Sequence, residues 1–229
     1  AMDAALAKAR RLAAHLLQAS GDDLDYDKGR FIVRGTSRGI GLTELARSAQ
    51  DAANLPEGMS PEAGKGLGEH VLNITDVFTF PSGCHVAEVE IDPETGGCEL
   101  LRYTAVDDYG RLINPMLTEG QVQGGVAQGI GQAMLENVVY DAAGQQLSAS
   151  YMDYAMPRAD DFPDFKIDTI CTPCTHNPLG TKGCGEAGAI GSPPAVINAV
   201  LDALKSVGVT DLDMPASASR VWEAIQAAK

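Results

Sequence analysis

The stretch Cys84-His-Val-Ala-Glu-Val-Glu-Ile-Asp-Pro-Glu-Thr-Gly-Gly-Cys-Glu-Leu-Leu-Arg-Tyr-Thr-Ala-Val106 decides the fold class. Apolar and β-branched residues alternate with polar ones on both sides of Asp92-Pro-Glu-Thr-Gly-Gly97. That cluster forms a turn, so the two runs read as antiparallel, half-buried strands. A further run from Ile74 to Phe80 extends the pattern to an antiparallel meander. Downstream the period changes: a helix is expected from Thr118 to Asn137, strands at Asn137–Tyr140 and near Lys166–Thr172, and helices from Pro194 and from Ser217. Sheets interrupted by single helices define an α+β fold, with mixed or antiparallel sheets and packed helices.

Upstream, Ala1 to Leu17 is amphipathic, with Leu6, Ala9, Ala13, Leu16 and Leu17 on one side, and lacks the charged lead and apolar block of a secretion signal. Leu24–Tyr26 and Phe31–Val33 flank a turn at Asp27-Lys28-Gly29 and form a hairpin, followed by a short helix from Leu42 to Asp51. Residues 1–53 thus read as a helix plus a small hairpin subdomain, 54–70 as a surface loop rich in Pro, Gly and Glu, and 71–229 as the larger subdomain.

The 229 residues are 45% hydrophobic and 21% charged, as in ordinary globular chains. A formal charge of -14 with no basic stripe excludes a nucleic-acid partner, because phosphate binding needs clustered Lys and Arg. No run reads as a membrane span, and the default compartment is the cytoplasm. Cys84, Cys98, Cys171, Cys174 and Cys184 are an odd set in a chain too long to need staples, which fits reduced thiols.

Two segments stand out as chemistry. The first, Asn177-Pro-Leu-Gly-Thr-Lys-Gly-Cys-Gly-Glu-Ala-Gly-Ala-Ile-Gly-Ser-Pro-Pro194, places one acid, Glu186, among five glycines. Ser192-Pro193-Pro194 then reads as a helix N-cap with prolines in the first turn. The glycines suit close approach of backbone to a ligand, or equally a tightly packed crossover. The second, Glu119 to Glu136, is helical by pattern yet holds five glycines, each unfavourable by roughly 1 kcal/mol against alanine. Gln121, Gly124, Gly125, Gln128 and Gln132 share one face, all amide and no bulk, which suits a flat polar ligand or another backbone.

Other motifs carry less. Arg34-Gly-Thr-Ser-Arg-Gly-Ile-Gly-Leu42 mimics the nucleotide turn of short-chain dehydrogenases, but no Tyr is followed four positions later by Lys, and the leading strand belongs to a hairpin. Asp23, Asp25 and Asp27 begin like a calcium loop, with Lys28 and Arg34 where glycine and glutamate are required. Cys171, Cys174, His176 and Cys184 offer four zinc ligands without a second Cys pair. His85 flanks a strand and reads as structural.

Five collinear motifs then carry a resemblance. Cys84 to Gly96, Ala105-Val-Asp-Asp-Tyr-Gly-Arg-Leu-Ile-Asn-Pro115, Gly120-Gln-Val-Gln-Gly-Gly-Val-Ala-Gln-Gly-Ile-Gly131, Tyr154-Ala-Met-Pro-Arg158 and Lys182-Gly-Cys-Gly-Glu186 stand in order over nearly the whole chain. They resemble the C-terminal part of the molybdenum-binding large subunit of the xanthine dehydrogenase, aldehyde oxidase and carbon monoxide dehydrogenase family.

The resemblance implies the C-terminal part of a molybdopterin-binding domain, in which Glu186 is a general base acting on a molybdenum-bound hydroxyl. It implies that Gln121 bonds the pterin, with Gln128 and Gly185 as further contacts. A carboxylate in a water-poor, glycine-lined pocket is a better base, and the metal activates its bound oxygen. The implied cofactor is molybdopterin with molybdenum, in the cytosine dinucleotide form, and no metal is ligated by side chains of this chain. The implied partners are the remainder of the large subunit, a 2Fe-2S subunit and an FAD subunit. The small-molecule substrate is left open among an aldehyde, a purine, another N-heterocycle and carbon monoxide. Two other readings of the sequence are a noncatalytic assembly module and a small zinc-binding protein.

Overall fold

The computed structural model describes residues 1–59, 66–74 and 77–229 of an α+β chain. It divides into two compact units, residues 1–74 and 75–229. In the first, helix α1 (Met2–Leu17) buries Ala9, Leu12 and Ala13 against strands β1 (Leu24–Asp27), β2 (Arg30–Val33) and β3 (Gly39–Gly41) and helix α2 (Leu42–Ser48). The β1–β2 hairpin turns on Lys28 (φ 46°) and Gly29 (φ 79°), two successive left-handed residues whose twist matches that of paired strands. Gly35, Gly39 and Gly41 lie in and beside β3, the third strand of this antiparallel meander, not in a parallel βαβ unit. Asp25, from the acidic run, pairs with Arg34 at 3.2 Å on the surface.

The second unit is built on β4 (Ser82–Ile91) and β5 (Cys98–Asp108), paired antiparallel from Ser82↔Asp108 to Ile91↔Cys98 with an irregularity between Glu88 and Val89. The third partner is β6 (Phe165–Ile170), which runs parallel to β5 in the register Tyr103↔Phe165. The sheet is therefore mixed, not the meander expected from residues 74–106. Residues 75 and 76 of the run expected as a strand lie outside the described residues, as do 60–65 of the expected loop, and 77–80 carry no strand. A parallel partner needs a long crossover, and residues 109–164 supply one that contains helix α3 (Pro115–Met134).

Three boundaries differ from expectation for physical reasons. Helix α3 begins three residues early because Asn114 caps it, its side chain accepting from the Leu117 amide at 3.2 Å, and Pro115 occupies the first turn. The strand expected at 137–140 reduces to one bridge, Tyr140↔Gln146. Helix α4 (Ala187–Leu204) starts seven residues before the expected Pro194, so Pro193 and Pro194 lie inside it, and Glu186 is the N-cap residue. Ser192 is not a cap: its hydroxyl donates back to the Gly188 carbonyl at 2.7 Å.

Helices α3 and α4 pack against each other, α4 lies on β4, and helix α5 (Ala218–Ala227) closes the core with Val221 and Ile225. The core joins Leu100, Tyr103 and Ala105 of β5 to Val122, Val126 and Ile130 of α3 and to Val196, Val200 and Leu204 of α4. Residues Ala187–Val207 are long and apolar enough by composition to cross a membrane. Here that apolarity serves packing between sheet and helices.

The glycines of α3 and α4 explain their own presence. A Cβ on Gly188 would sit 2.5 Å from the Val122 carbonyl oxygen and 2.7 Å from the Val126 nitrogen, and one on Gly125 would meet the Ala189 nitrogen at 3.0 Å. The helices thus touch backbone to backbone. Gly188 was expected in a ligand-contacting loop and Gly125 on a ligand face; both are used in this crossing instead. Gly124 points into open space. Gly188→Ala is therefore expected to destabilise the chain by about 1–3 kcal/mol through overpacking. Gly124→Ala should stabilise it by up to about 1 kcal/mol. Thermal unfolding of the two variants checks the difference; equal effects would refute the crossing as the site of constraint.

Candidate active site

Glu186 stands at the start of α4, where the Ile190 amide bonds its carbonyl at 2.9 Å while its carboxylate makes no cap bond. The segment before it is tied to the end of β5. Gly110 adopts φ 63° and lies so close to the Gly180 carbonyl oxygen that a side chain there would collide with it. Around this contact the Arg111 amide donates to Gly180 O at 2.8 Å, the Lys182 amide to Tyr109 O at 2.8 Å and the Gly183 amide to Thr79 O at 3.0 Å.

Asp108 locks the arrangement. Its Oδ1 accepts from the amides of Gly110 (2.8 Å) and Thr172 (3.0 Å), and its Oδ2 from Lys182 Nζ (2.8 Å). The Lys182 ammonium, then the two amides, hold the Asp108 carboxyl well below the usual carboxylate range. Both partners are largely buried, at 16% and 5% side-chain exposure.

Gln121 reaches this segment from α3, its Nε2 donating to Gly185 O at 2.7 Å. The structure therefore brings together Gln121, Gly185 and the chain position of Glu186. Gln128 is two helical turns, roughly 10 Å, further along, exposed on the same face with Gly124 and Gln132. A cavity of ≈ 530 Å³ opens where α3 meets the loop, lined by Tyr109, Arg111, Asn114, Gln121, Lys182 and Gly185 among others. Gly185 and Glu186 are exposed, so the water-poor surroundings expected for the acid are not built by the described residues.

A second cavity of ≈ 340 Å³ is lined by His85, Asp107, Ala187, Ile190 and Gly191, with Phe80 among its other residues. His85 Nδ1 is 2.6 Å from Tyr103 Oη, and its Nε2 is 3.1 Å from Asp107 Oδ1. The Tyr109 hydroxyl donates to Asp107 Oδ2 at 2.7 Å. Burial first, and the Asp107 carboxylate second, push both tyrosines well above the usual phenol range, so they remain hydroxyl donors. Among the described residues no buried polar side-chain atom lacks a partner.

Sequence reasoning assigned no role to Asp107, Asp108 or Lys182 and set His85 aside. Strand alternation held the signal: Tyr103, Ala105 and Asp107 share the inner face of β5, so an acid is carried inward beside His85. The zinc reading fails on geometry, since among the described residues no three His, Cys, Asp or Glu side chains converge on a metal position. The cysteines are free thiols, and burial pushes Cys98 up to about 11.

The second unit is thus an α+β scaffold that carries an amide-rich helix face, an adjacent cavity and a lone acid at a helix start. A family model described as the molybdopterin cofactor-binding domain matches residues 1–163, and the chain belongs to that family. Its relatives include molybdenum-binding large subunits of the xanthine dehydrogenase family. The chain is 39% identical over 223 residues to the carbon monoxide dehydrogenase large chain of Hydrogenophaga pseudoflava, covering 96% of this chain and 27% of that one. It is 36% identical to the nicotine 6-hydroxylase large subunit of Paenarthrobacter nicotinovorans, covering 93% and 26%.

Among solved structures, carbon monoxide dehydrogenase from Oligotropha carboxidovorans superposes with a TM-score of 0.80 at 35% identity, over 98% of this chain and 27% of that one. Quinoline 2-oxidoreductase from Pseudomonas putida 86 gives 0.80 at 36%, over 98% and 28%. The chain spans about a quarter of the length of these relatives.

The Asp108 environment makes a pH prediction. Its folded pKa is depressed, so its stabilisation is fully present above the unfolded carboxyl value of about 3.9 and fades as pH falls below that toward the folded value. Asp108→Asn should lower stability at neutral pH and flatten the loss of stability below about pH 4. Unfolding midpoints measured from pH 7 to pH 2 check this; parallel curves for the two proteins would refute it.

Proposed function

We propose that this chain supplies one wall of the cofactor site and the catalytic carboxylate of a molybdenum hydroxylase, an oxidoreductase that hydroxylates an aldehyde or N-heterocycle carbon, or oxidises carbon monoxide. The observation that carries the reading is the 2.7 Å bond from Gln121 Nε2 to Gly185 O, which places an amide-bearing helix face beside the Glu186 turn at the mouth of a ≈ 530 Å³ cavity. Membership of the molybdopterin cofactor-binding domain family and the likeness to carbon monoxide dehydrogenase and nicotine 6-hydroxylase large subunits support it.

The residues present fit such a cofactor. Gln121 keeps its carbonyl oxygen for a heterocycle N–H, exposed Gly124 and Gly185 leave room for a flat ring, and Arg111, which lines the same cavity, would suit a phosphate. Gln121 and Gly185 would hold the pterin, and Gln128 would meet a more distant part, for which the cytosine dinucleotide form is long enough. When bound, the molybdenum supplies Lewis-acid activation of water and accepts the electron pair from substrate.

Everything else falls to this chain. Glu186 accepts the proton at a carboxylate oxygen that no cap bond engages. The Asp108–Lys182 pair fixes the loop on which it sits. The exposure of Glu186 is then closed by neighbouring chain, in keeping with an assembly that includes the rest of a large subunit and 2Fe-2S and FAD partners as electron acceptors.

In the complete assembly, Glu186→Gln is expected to leave molybdenum content intact and slow substrate-dependent reduction by about 10² to 10⁴-fold, the usual contribution of a general base. Near-normal turnover would sink the assignment. Gln121→Ala should instead lower molybdenum retention, measured by elemental analysis of the purified complex; unchanged metal content with unchanged kinetics would remove Gln121 from the site.

A further inference from the structure

The first turn of α4 is loosely joined to its own helix. Pro193 and Pro194 have no N–H, so the carbonyls of Ala189 and Ile190 lack their i+4 donors, and two consecutive rungs are missing behind the turn that begins at Glu186. The Ser192 hydroxyl restores one local bond, to Gly188 O at 2.7 Å. What fixes this turn against the sheet comes from outside the helix. The His85 ring lies so close to Gly191 that a Cβ there would stand 2.6 Å from both Cε1 and Nδ1.

The ring is itself held on both sides, Nδ1 at 2.6 Å from Tyr103 Oη and Nε2 at 3.1 Å from Asp107 Oδ1. Tyr109 anchors Asp107, and the ring meets the helix at Gly191, which links sheet to helix. The Asp107 carboxylate only accepts, so Nε2 bears its proton, and in the neutral ring Nδ1 accepts from Tyr103. A buried carboxylate and imidazole are costly to desolvate, and apolar residues of the same shape would fill the space at less cost. Directional bonds are what this cluster adds over such packing.

We propose that His85 and Asp107 are positioning residues: acting through Gly191, they set the orientation of the hinged first turn of α4 and with it the Glu186 carboxylate. The inference rests on the reading of Glu186 as the proton acceptor. His85 and Asp107 touch neither substrate nor cofactor in this role.

The test uses the assembled, cofactor-loaded complex. His85→Leu keeps the bulk and removes both bonds. It is expected to lower kcat by about tenfold to a hundredfold, the scale of an ångström-level misplacement, with KM within about twofold and molybdenum content unchanged. Amide exchange at Gly188 to Gly191 should quicken. His85→Gln, whose amide offers one acceptor and one donor in place of Nδ1 and Nε2, should recover most of kcat. Adding Pro193→Ala to His85→Leu returns an N–H to the Ala189 carbonyl and should recover part of it. Normal kcat in His85→Leu, a loss of equal size in the Leu and Gln variants, or unchanged exchange in this segment overturns the proposal.

If His85→Leu does not load cofactor, Tyr103→Phe removes a single hydroxyl and is judged by the same kcat and exchange measurements. Failure of the underlying reading looks different: Glu186→Gln would turn over normally while His85→Leu still loosened the turn.

Discussion

The contact on which the rest of the second unit depends is the backbone-level crossing of α3 and α4. Only hydrogen stands between Gly188 and the Val122 carbonyl, and the same holds between Gly125 and Ala189. At that separation Gln121, one turn before Gly125, lies within hydrogen-bonding distance of Gly185, just ahead of Gly188. Widening the crossing by a methyl group would move the amide face away from the acid-bearing turn. The glycines that make α3 a poor helix by intrinsic propensity are what allow two distant segments to share one site.

The C-terminal end of β5 divides the remaining work between adjacent acids. Strand geometry sends neighbouring side chains to opposite faces. Asp107 therefore points inward to His85 and Tyr109, and Asp108 outward to Lys182 and the amides of Gly110 and Thr172. One acid braces the helix after Glu186 and the other braces the loop before it. The catalytic candidate is thus held from both flanks while its own carboxylate stays unengaged. That combination suits a group that must accept a proton from something outside the chain.

Much of this was legible in the sequence. The alternation about Asp92–Gly97 located β4 and β5, and the hairpin at Lys28–Gly29 was readable from its turn residues. The Asn114-Pro115 pair was a helix start that the glycine-rich pattern obscured. The start of α4 was misplaced because a Ser-Pro-Pro run ordinarily opens a helix. Here burial of Ser192 and Pro193 and the α3 crossing override that local preference. Strand β6 could not be assigned as parallel, since pairing direction is set by a long crossover rather than by any local pattern. At the candidate site, Glu186 stood out in the sequence as a lone acid among glycines and Gln121 as one of several amides on a glycine-rich helix face. Asp107, Asp108, His85 and Lys182 did not, because their partners lie far away in the chain and only the fold brings them together.

The parallel register Tyr103↔Phe165 has a kinetic meaning. The β4–β5 pair closes over a six-residue turn, whereas β6 must return across roughly sixty residues, and closing that loop costs entropy before any contact offsets it. The loop from Thr172 to Lys182 follows β6 in the chain and docks on Asp108 at the end of β5. Assembly of the acid-bearing turn is therefore expected to be the closing event of folding. A chain arrested before β6 pairs would leave the edge of β5 bare, and a bare strand edge is a template for association with other chains.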